Sequence, residues 1–332
     1  MSCFTAFKGN FHDPEADFLE VPSSFRGGAG RFAPSPTGDL HLGNLRTAIL
    51  AHAWAKATGR RCLLRVEDID RVRSGSTERQ LEQLQQLGLR YDAAPLIQTT
   101  RTEAHHRAIE TLRSRGFLFE CYCSRKDIQE AASAPHTPPG HYPGTCLHLS
   151  EEELAQKREL FAQQGRQPAL RLNVPEKEWT IFDELHGDYT GPVDNVVIRR
   201  NDGAVAYNLA VVVDDAYQGI DQVTRGDDLL SQAPTQAAIA HALGLAEPVY
   251  VHVPLALNQE GQRLSKRDGA VTLPDLQEQG IEVPQVVNLI ARSLDLGPQV
   301  DACQSVTDLL QVLDESTLRR MPLHPWVWDG QI

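Results

Sequence analysis

A strand–turn–helix pattern near the start of the chain could bind a phosphate group. Residues 31–33 predict a short strand, the Pro- and Gly-containing run 34–38 interrupts it, and His41 and Gly43 come just before a helical pattern. Ligands of open α/β sheets bind beyond the carboxyl ends of strands, where a helix N-terminus favours phosphate. His41 can donate a hydrogen bond to a phosphate oxygen, and Gly43 allows close approach to the backbone. Taken alone, this pair fits a structural turn better.

A second candidate is the basic run QRLSKR at 262–267, which follows a strand predicted at 249–257. Here Arg263 and Lys266 lie on either side of Leu264 and Ser265. Two cations beside a hydroxyl group can bind a triphosphate as charge develops on the leaving pyrophosphate. Taken alone, this run fits a solvated basic turn better.

Three cysteines cluster in one Pro- and Gly-rich segment: Cys121, Cys123 and Cys146. Without a secretory signal, such a cluster indicates a metal before a disulfide, and tetrahedral zinc requires four N, S or O ligands. Three free thiols in a loop are the alternative interpretation. Nearby imidazole groups could supply the fourth ligand: His136, His141 and His148.

The whole string RFAPSPTGDLHLGN at 31–44 is far more specific than the His-x-Gly pair. It resembles the first signature of glutamyl-tRNA synthetases, a HIGH-type motif preceded by an RFAPSPTG segment. The run 262–267 resembles the KMSKS loop of class I synthetases, with Arg263 in place of the first lysine. The similarity extends from residue 31 to residue 267. It implies ATP- and Mg²⁺-dependent activation of glutamate on an α/β fold, a class I Rossmann-type doubly wound parallel sheet.

The resemblance also implies residue roles. His41 and Lys266 would be catalytic and would stabilise the developing phosphate charge. The implied ATP contacts are His41, Gly43, Asn44, Ser265 and Lys266. The implied glutamate contacts are Arg31, Phe32, Ala33, Pro34, Ser35, Glu67, Tyr207 and Arg225. Within this set Glu67 would bind the α-amino group, and Arg31 and Arg225 would bind the side-chain carboxylate, which a guanidinium group can contact with two hydrogen bonds.

The cysteine cluster is similar to the zinc knuckle of the same family. In that knuckle a tyrosine four residues before the last cysteine completes the site, which here is Tyr142. The implied zinc ligands are therefore Cys121, Cys123, Tyr142 and Cys146. Such a closed site is structural and does not take part in the reaction.

Only 65 residues follow Arg267, too few for the anticodon-reading module of glutamyl-tRNA synthetases. The chain therefore resembles the truncated branch of the family, the glutamyl-queuosine tRNA(Asp) synthetases. That resemblance implies activation of glutamate without tRNA, followed by transfer to the queuosine base of tRNA(Asp). Two alternatives stay open: a catalytic fragment of a glutamyl-tRNA synthetase, and a catalytically silent glutamate- or RNA-binding module.

The bulk composition is that of an ordinary globular chain. The 332 residues carry a formal charge of −12, which neither supports nor excludes tRNA as a partner. No apolar run is long enough to span a bilayer, and the first thirty residues do not resemble a targeting peptide. We expect a cytoplasmic monomer without a membrane partner.

The alternation of strand and helix predicts the elements that position these residues. Helices are predicted at 45–58, 76–87 and 150–164, the last with a capping box of Ser150 and Glu153. Strands are predicted at 62–66, 193–199, 204–213 and 249–257. The predicted domains are a flexible arm (1–30), the first half of the catalytic domain (31–116), an insertion with the zinc knuckle and an acceptor-type subdomain (117–190), the second half (191–273) and a helical C-terminal region without an anticodon-binding domain (274–332).

Overall fold

The computed structural model describes residues 27–70, 72–124, 126–128, 142–264 and 271–330. Most of the predicted N-terminal arm therefore lies outside the described residues. Within them the strands are β1 (Ala29–Phe32), β2 (Arg61–Val66), β3 (Leu96–Ile97), β4 (Leu118–Cys121), β5 (Ala169–Leu172), β6 (Glu178–Asp183), β7 (Gly187–Pro192), β8 (Val197–Arg199), β9 (Ile220–Gly226), β10 (Val249–Val253), β11 (Ala256–Leu257) and β12 (Trp326–Val327).

The α-helices of the same residues are distributed along the whole chain. They are α1 (Leu42–Ala57), α2 (Ser76–Gln86), α3 (Thr102–Ser114), α4 (Glu151–Gln163), α5 (Tyr207–Tyr217), α6 (Ala233–Leu243), α7 (Leu273–Glu278), α8 (Val283–Arg292), α9 (Pro298–Asp301), α10 (Val306–Val312) and α11 (Glu315–Leu318). No helix in this part of the chain is both long and apolar enough to cross a lipid bilayer.

The main sheet has the strand order β3-β2-β1-β9-β10-β6-β7. Its strands pair in parallel except for β7, which pairs antiparallel with β6 at one edge. The chain runs outward from β1 to β3 on one side and from β9 to β10 on the other. Such a reversal leaves a crevice beyond the carboxyl ends of β1 and β9, where doubly wound sheets bind ligands. The predicted doubly wound parallel sheet is confirmed, with an added antiparallel edge.

Helix α1 lies at the centre of the largest hydrophobic cluster. It begins three residues earlier than predicted, and residues 48–55 are all buried. A helix buried on every side needs the apolar composition that this Ala- and Leu-rich segment has. One side contacts β1 and β2, and another contacts the C-terminal helices α10 and α11. The helix that begins at His41 is thus held from both sides.

A smaller antiparallel sheet has the order β4-β5-β8. The cysteine segment begins at its edge, because Cys121 is the last residue of β4. Helix α4 follows that segment and begins with the predicted capping box, in which Ser150 and Glu153 bond reciprocally. Two pairings cross the predicted domain boundaries, because β8 joins the small sheet and β6 joins the main sheet through Asp183 and Tyr250. The domain division stays a prediction.

The strand predicted at 204–213 is wrong, because residues Tyr207–Tyr217 form helix α5. The continuous apolar run Leu209–Val213 is compatible with a buried strand or a buried helix, so periodicity alone could not decide. The entire run is buried between α3 and α6, and this packing outweighs the strand preference of three consecutive valines. The strand predicted at 249–257 is also divided in two, at Pro254.

The C-terminal region is helical, as predicted, and ends with one short strand. Strand β12 pairs in parallel with β11, which joins Trp326 to Ala256. This pairing fixes the end of the chain beside the segment that leads to the basic run 262–267.

Candidate active site

A cavity of about 930 Å³ lies beyond the carboxyl ends of β1 and β9, at the reversal of strand order. Every described residue that the resemblance assigned to glutamate or ATP lines it: Arg31, Phe32, Ala33, Pro34, Ser35, His41, Gly43, Asn44, Glu67, Tyr207 and Arg225. Ser265 and Lys266 lie outside the described residues. One crevice therefore collects side chains from β1, β2, β9, α1 and α5.

His41 is the N-cap of α1 and bonds reciprocally with Asn44. Its Nδ1 accepts from the backbone N–H of Asn44 at 3.3 Å, and the Asn44 Oδ1 accepts from the His41 backbone N–H at 3.2 Å. Burial, together with the charge of Arg263, lowers the pKa of His41 to about 4. The ring is therefore neutral near pH 7 and carries its proton on Nε2, the atom that can donate to a ligand.

Close packing around position 43 favours glycine there, and the sequence alone did not show this packing. A Cβ atom there would lie 3.0 Å from Cε1 of His41 and 3.2 Å from Cβ of Ala256. Contacts this close would displace the His41 ring from its capping position. Glycine at this position therefore maintains the orientation of the histidine.

Four buried charged side chains form a network at the base of the crevice, and we name it the balanced cluster: Arg31, Arg65, Glu67 and Asp215. Asp215 Oδ1 accepts from Arg31 Nε at 3.1 Å and from Arg65 Nη1 at 2.7 Å. Arg65 Nη2 donates to Glu67 Oε1 at 3.1 Å. With both acids ionised, two guanidinium groups face two carboxylates, so the cluster is electrically neutral.

The two carboxyl groups of the balanced cluster respond differently to burial. Burial acts to raise the pKa of Asp215, but the charges and hydrogen bonds of Arg31 and Arg65 outweigh it and the pKa is lowered. For Glu67 burial outweighs the same two arginines, and the pKa is raised. A cationic ligand beside Glu67 would favour its ionised form. Glu67 thus has the electrostatic properties of a binding site for an ammonium group.

Arg225, at the end of β9, is buried against neutral acceptors only. It donates to His252 Nε2 at 3.0 Å, to Gln236 Oε1 at 2.7 Å and to the carbonyl oxygen of Leu229 at 3.3 Å. In the described ranges it forms no ion pair with a carboxylate. The positive charge of Arg225 therefore remains available to a bound anion.

Tyr207 is the first residue of α5 and lies between these two regions. Burial and the nearby charge of Glu67 raise the pKa of its phenol. The hydroxyl group therefore stays protonated at neutral pH and can donate a hydrogen bond.

The sequence patterns did not predict several buried residues whose hydrogen bonds position the predicted site residues, directly or through a neighbour: Arg65, Asp183, Asp215, Gln236 and His252. Two signals were present. Arg65 is a charged residue inside an apolar strand, which is unusual unless the charge is paired. Asp215 follows Tyr207 by two helical turns, so it projects toward the same crevice once 207–217 is taken as a helix.

Near Asp228, at one edge of the crevice, the chain is described only as far as Leu264. Arg263 forms an ion pair with Asp228, which lies just beyond β9. Both residues line the cavity, as does Thr272 on the far side of the undescribed segment. The described residues Arg263 and Thr272, one on each side of segment 265–270, therefore both lie at the crevice.

The cysteine segment forms a second, separate cluster. The three Sγ atoms lie within 4.8 Å of one another. Tyr142 Oη is 3.4 Å from Cys121 Sγ and 3.6 Å from Cys123 Sγ, and Cys146 Sγ is 3.5 Å from Cys123 Sγ. The three thiols could therefore hold a metal ion, and the hydroxyl group of Tyr142 lies beside them.

The thiols of this cluster differ in acidity. A hydrogen bond with Cys146, together with burial, raises the pKa of Cys121 to about 12. A hydrogen bond from Cys121 and the backbone N–H of Tyr122 lower the pKa of Cys146 to about 6. The Arg171 guanidinium lies 3.9 Å from the centre of the Tyr142 ring. Among the histidines considered as alternatives, His148 is exposed, and His136 and His141 lie outside the described residues.

Comparison with known proteins places the chain in a family. Residues 29–329 match the family model described as "tRNA synthetases class I (E and Q), catalytic domain". The chain is 54% identical to the glutamyl-Q tRNA(Asp) synthetase of Nocardia farcinica, over 93% of this chain and 95% of that protein. It is 43% identical to the Cutibacterium acnes protein of the same name, over 88% of this chain and 83% of that protein.

Among solved structures, the glutamate-tRNA synthetase of Elizabethkingia anophelis superposes with a TM-score of 0.77 at 25% identity, over 92% of this chain and 68% of that one. The chain belongs to the catalytic-domain family of the class I tRNA synthetases for E and Q, and it is a ligase of the aminoacyl-tRNA synthetase type.

Proposed function

We propose that the chain activates glutamate with ATP in the absence of tRNA and then transfers it to the queuosine base in the anticodon of tRNA(Asp). The observation that carries the choice of amino acid is that Arg225, beside the balanced cluster, contacts neutral acceptors and no carboxylate in the part of the chain that the structure describes. The name shared by the Nocardia farcinica and Cutibacterium acnes relatives supports the choice of acceptor.

The charges of the crevice suggest one orientation for glutamate. The α-amino group binds Glu67, the side-chain carboxylate binds Arg225, and Tyr207 donates to the ligand between them. The guanidinium group of Arg31 contacts the same ligand, and its hydrogen bond to Asp215 fixes the position of that guanidinium group. Residues 32–35 form the adjoining wall of the cavity. The α-carboxylate then points toward His41.

The first reaction step is attack of an α-carboxylate oxygen on the α-phosphorus of ATP, with pyrophosphate as leaving group. No covalent enzyme nucleophile is required, so positioning and charge stabilisation supply the acceleration. His41 Nε2 donates to the phosphate, and Lys266 stabilises the developing negative charge. Gly43, Asn44 and Ser265 complete the ATP contacts. Mg²⁺ bound with ATP supplies charge neutralisation on the phosphates.

In the second step a hydroxyl group of the cyclopentenediol of queuosine attacks the carbonyl carbon of glutamyl-adenylate, and AMP leaves. The catalytic body at 31–267, interrupted by the insertion at 117–190, performs both steps as a cytoplasmic monomer. Within the insertion, Cys121, Cys123, Cys146 and Tyr142 hold a structural zinc ion that maintains the fold of the segment and contacts no substrate.

Glutamate-dependent ATP–pyrophosphate exchange, measured with and without tRNA, tests the activation step. We expect exchange without tRNA, and subsequent transfer of labelled glutamate to queuosine-containing tRNA(Asp). Exchange that requires tRNA(Glu) would instead identify a glutamyl-tRNA synthetase activity. The absence of exchange under either condition would refute enzymatic activation of glutamate.

Metal analysis of the purified protein tests the zinc site. We expect about one zinc per chain, lost in Cys123→Ser and retained in the matched control Cys303→Ser, which removes a thiol far from the cluster. A variant without zinc should unfold more readily but keep its ATP KM. Equal zinc content in the two variants would contradict the assignment.

A further inference from the structure

Arg225 has a neighbour on the adjacent strand that no motif singled out. In the parallel pairing of β9 with β10, Arg225 lies directly opposite His252. Residues opposite each other on paired strands have side chains on the same face of the sheet. The Arg225 Nε therefore reaches His252 Nε2 at 3.0 Å.

The hydrogen bonds of His252 determine its tautomer. Since Nε2 accepts from Arg225, the proton of the neutral ring is on Nδ1, which donates to Asp183 Oδ2 at 2.7 Å. Asp183 also accepts from the backbone N–H groups of His252, Leu185 and His186, each at 2.9 Å. Both His252 and Asp183 are 0% exposed. The buried hydrogen bonds to Asp183 thus hold the His252 ring so that its neutral Nε2 accepts from the guanidinium group of Arg225.

Gln236 supports the same guanidinium group from helix α6. Its Oε1 accepts from Arg225 Nη1 at 2.7 Å, while its Nε2 donates to Asn208 Oδ1 at 2.9 Å. These two bonds fix which end of the amide faces Arg225. Gln236 is also buried. The second acceptor, like the first, carries no net charge.

We propose that Gln236 and His252 are specificity-determining positioning residues for the substrate side chain. They fix the direction of the Arg225 guanidinium through neutral acceptors and leave its charge unpaired. That charge then selects a ligand with a side-chain carboxylate over its amide analogue. This inference rests on the proposed activation of glutamate and adds the residues that make Arg225 selective.

A carboxylate in place of either acceptor would reverse this arrangement. It would form an ion pair with Arg225 at hydrogen-bonding distance and satisfy the guanidinium group before the ligand binds. The bound carboxylate would then have to compete for donors that are already occupied. Gln236→Glu introduces such a charge with almost no change in side-chain volume.

The decisive experiment compares Gln236→Glu with Gln236→Met in ATP–pyrophosphate exchange. Methionine removes the acceptor without adding a charge, so it reports the hydrogen bond alone. We expect Gln236→Glu to lower kcat/KM for glutamate by about 30-fold or more, and Gln236→Met to lower it by about 10-fold or less. The ATP KM should change little in both, and the ratio of glutamate to glutamine activation should fall only in Gln236→Glu.

Equal losses in the two variants, or a parallel rise in the ATP KM, would overturn the proposal, because the effect would then be structural. Nitrogen-15 NMR of His252 in the ligand-free protein gives an independent readout, and protonation on Nε2 would also overturn it. If the wild-type protein shows no exchange, the proposed function fails. The NMR result still decides whether His252 supports Arg225 as described.

Discussion

The crevice buries arginines in two different ways. In the balanced cluster, Arg31 and Arg65 face carboxylates of the protein itself. A short distance away, Arg225 is buried to a similar extent against an imidazole nitrogen, an amide oxygen and a backbone carbonyl. The first arrangement pairs guanidinium groups with carboxylates of the protein, whereas the second, among the described residues, offers its guanidinium group neutral acceptors, so a ligand carboxylate can supply the opposite charge.

This difference separates two tasks that buried charge performs. Removing a charge from water is costly, and a nearby opposite charge offsets that cost only with good geometry. In the balanced cluster the charges of Arg31 and Arg65 outweigh burial for Asp215 but not for Glu67, and the ion pairs fix the positions of Glu67 and Arg31. Among the described residues Arg225 has neutral acceptors but no opposite charge. We infer that the substrate supplies the opposite charge when it binds.

The largest effect is expected from Asp215→Asn, which replaces the carboxylate shared by two buried guanidinium groups with a neutral amide. Among the described residues Arg31 then has no ion pair, whereas Arg65 keeps Glu67. Breaking a buried pair in this way costs about 3–5 kcal/mol. We expect a loss of that size in the free energy of unfolding, measured by urea titration at pH 7. The matched control is Asp221→Asn, because Asp221 pairs with Arg60 with half of its side chain exposed. Similar losses in the two variants would contradict the role assigned to burial.

The pH dependence of this loss has a defined sign. Because Arg31 and Arg65 lower the folded-state pKa of Asp215, its stabilising contribution is complete above the unfolded pKa of about 3.9. It disappears as the pH falls through the lower folded-state value. The difference in stability between wild type and Asp215→Asn should therefore be constant from pH 7 to pH 5 and shrink in more acidic solution.

The next effect compares Arg225→Gln with Arg31→Gln. In Arg225→Gln no described carboxylate loses an ion pair, but buried acceptors lose their donor, so we expect a smaller loss of stability than in Arg31→Gln. We also expect kcat/KM for glutamate to fall by an amount that corresponds to about 2–5 kcal/mol of transition-state binding free energy. In Arg31→Gln, Asp215 loses one of its two cations, so unfolding should become easier as well. Paired measurements of exchange kinetics and thermal unfolding check the two patterns. If the two variants showed the same changes in exchange kinetics and in thermal unfolding, the distinction between Arg225 and the balanced cluster would be wrong.

The sequence predicted the doubly wound sheet and a set of residues whose described members line one cavity, for a physical reason. Many of the residues predicted to bind ligand lie in short motifs that are specified locally, such as the string 31–44, which ends a strand and begins a helix. The alternation of strands and helices predicted the doubly wound sheet in the same way. These features depend on neighbours along the chain.

The supporting residues could not be predicted from the sequence because they depend on strand register and helix packing. His252 resembles an ordinary core histidine until β10 is placed beside β9 in register with Arg225. Because a strand was predicted at 204–213, the sequence offered no reason to place Asp215 on the same helix as Tyr207. Asp215 contacts Arg65 because of the position of α5. Long-range pairing brings these residues together, and no local pattern encodes it.

The smallest effect tests whether carboxylates dominate the balanced cluster. Gln218 Oε1 accepts from Arg65 Nη1 at 3.0 Å and is buried beside the two acidic groups. In Gln218→Met, Arg65 keeps Asp215 and Glu67, so we expect a loss of only about 0.5–1.5 kcal/mol in the free energy of unfolding. The glutamate KM should change little, in contrast to Gln236→Met, because Arg225 keeps all its partners. If Gln218→Met instead destabilised the protein as much as Asp215→Asn, neutral acceptors would be as important as carboxylates for burying Arg65.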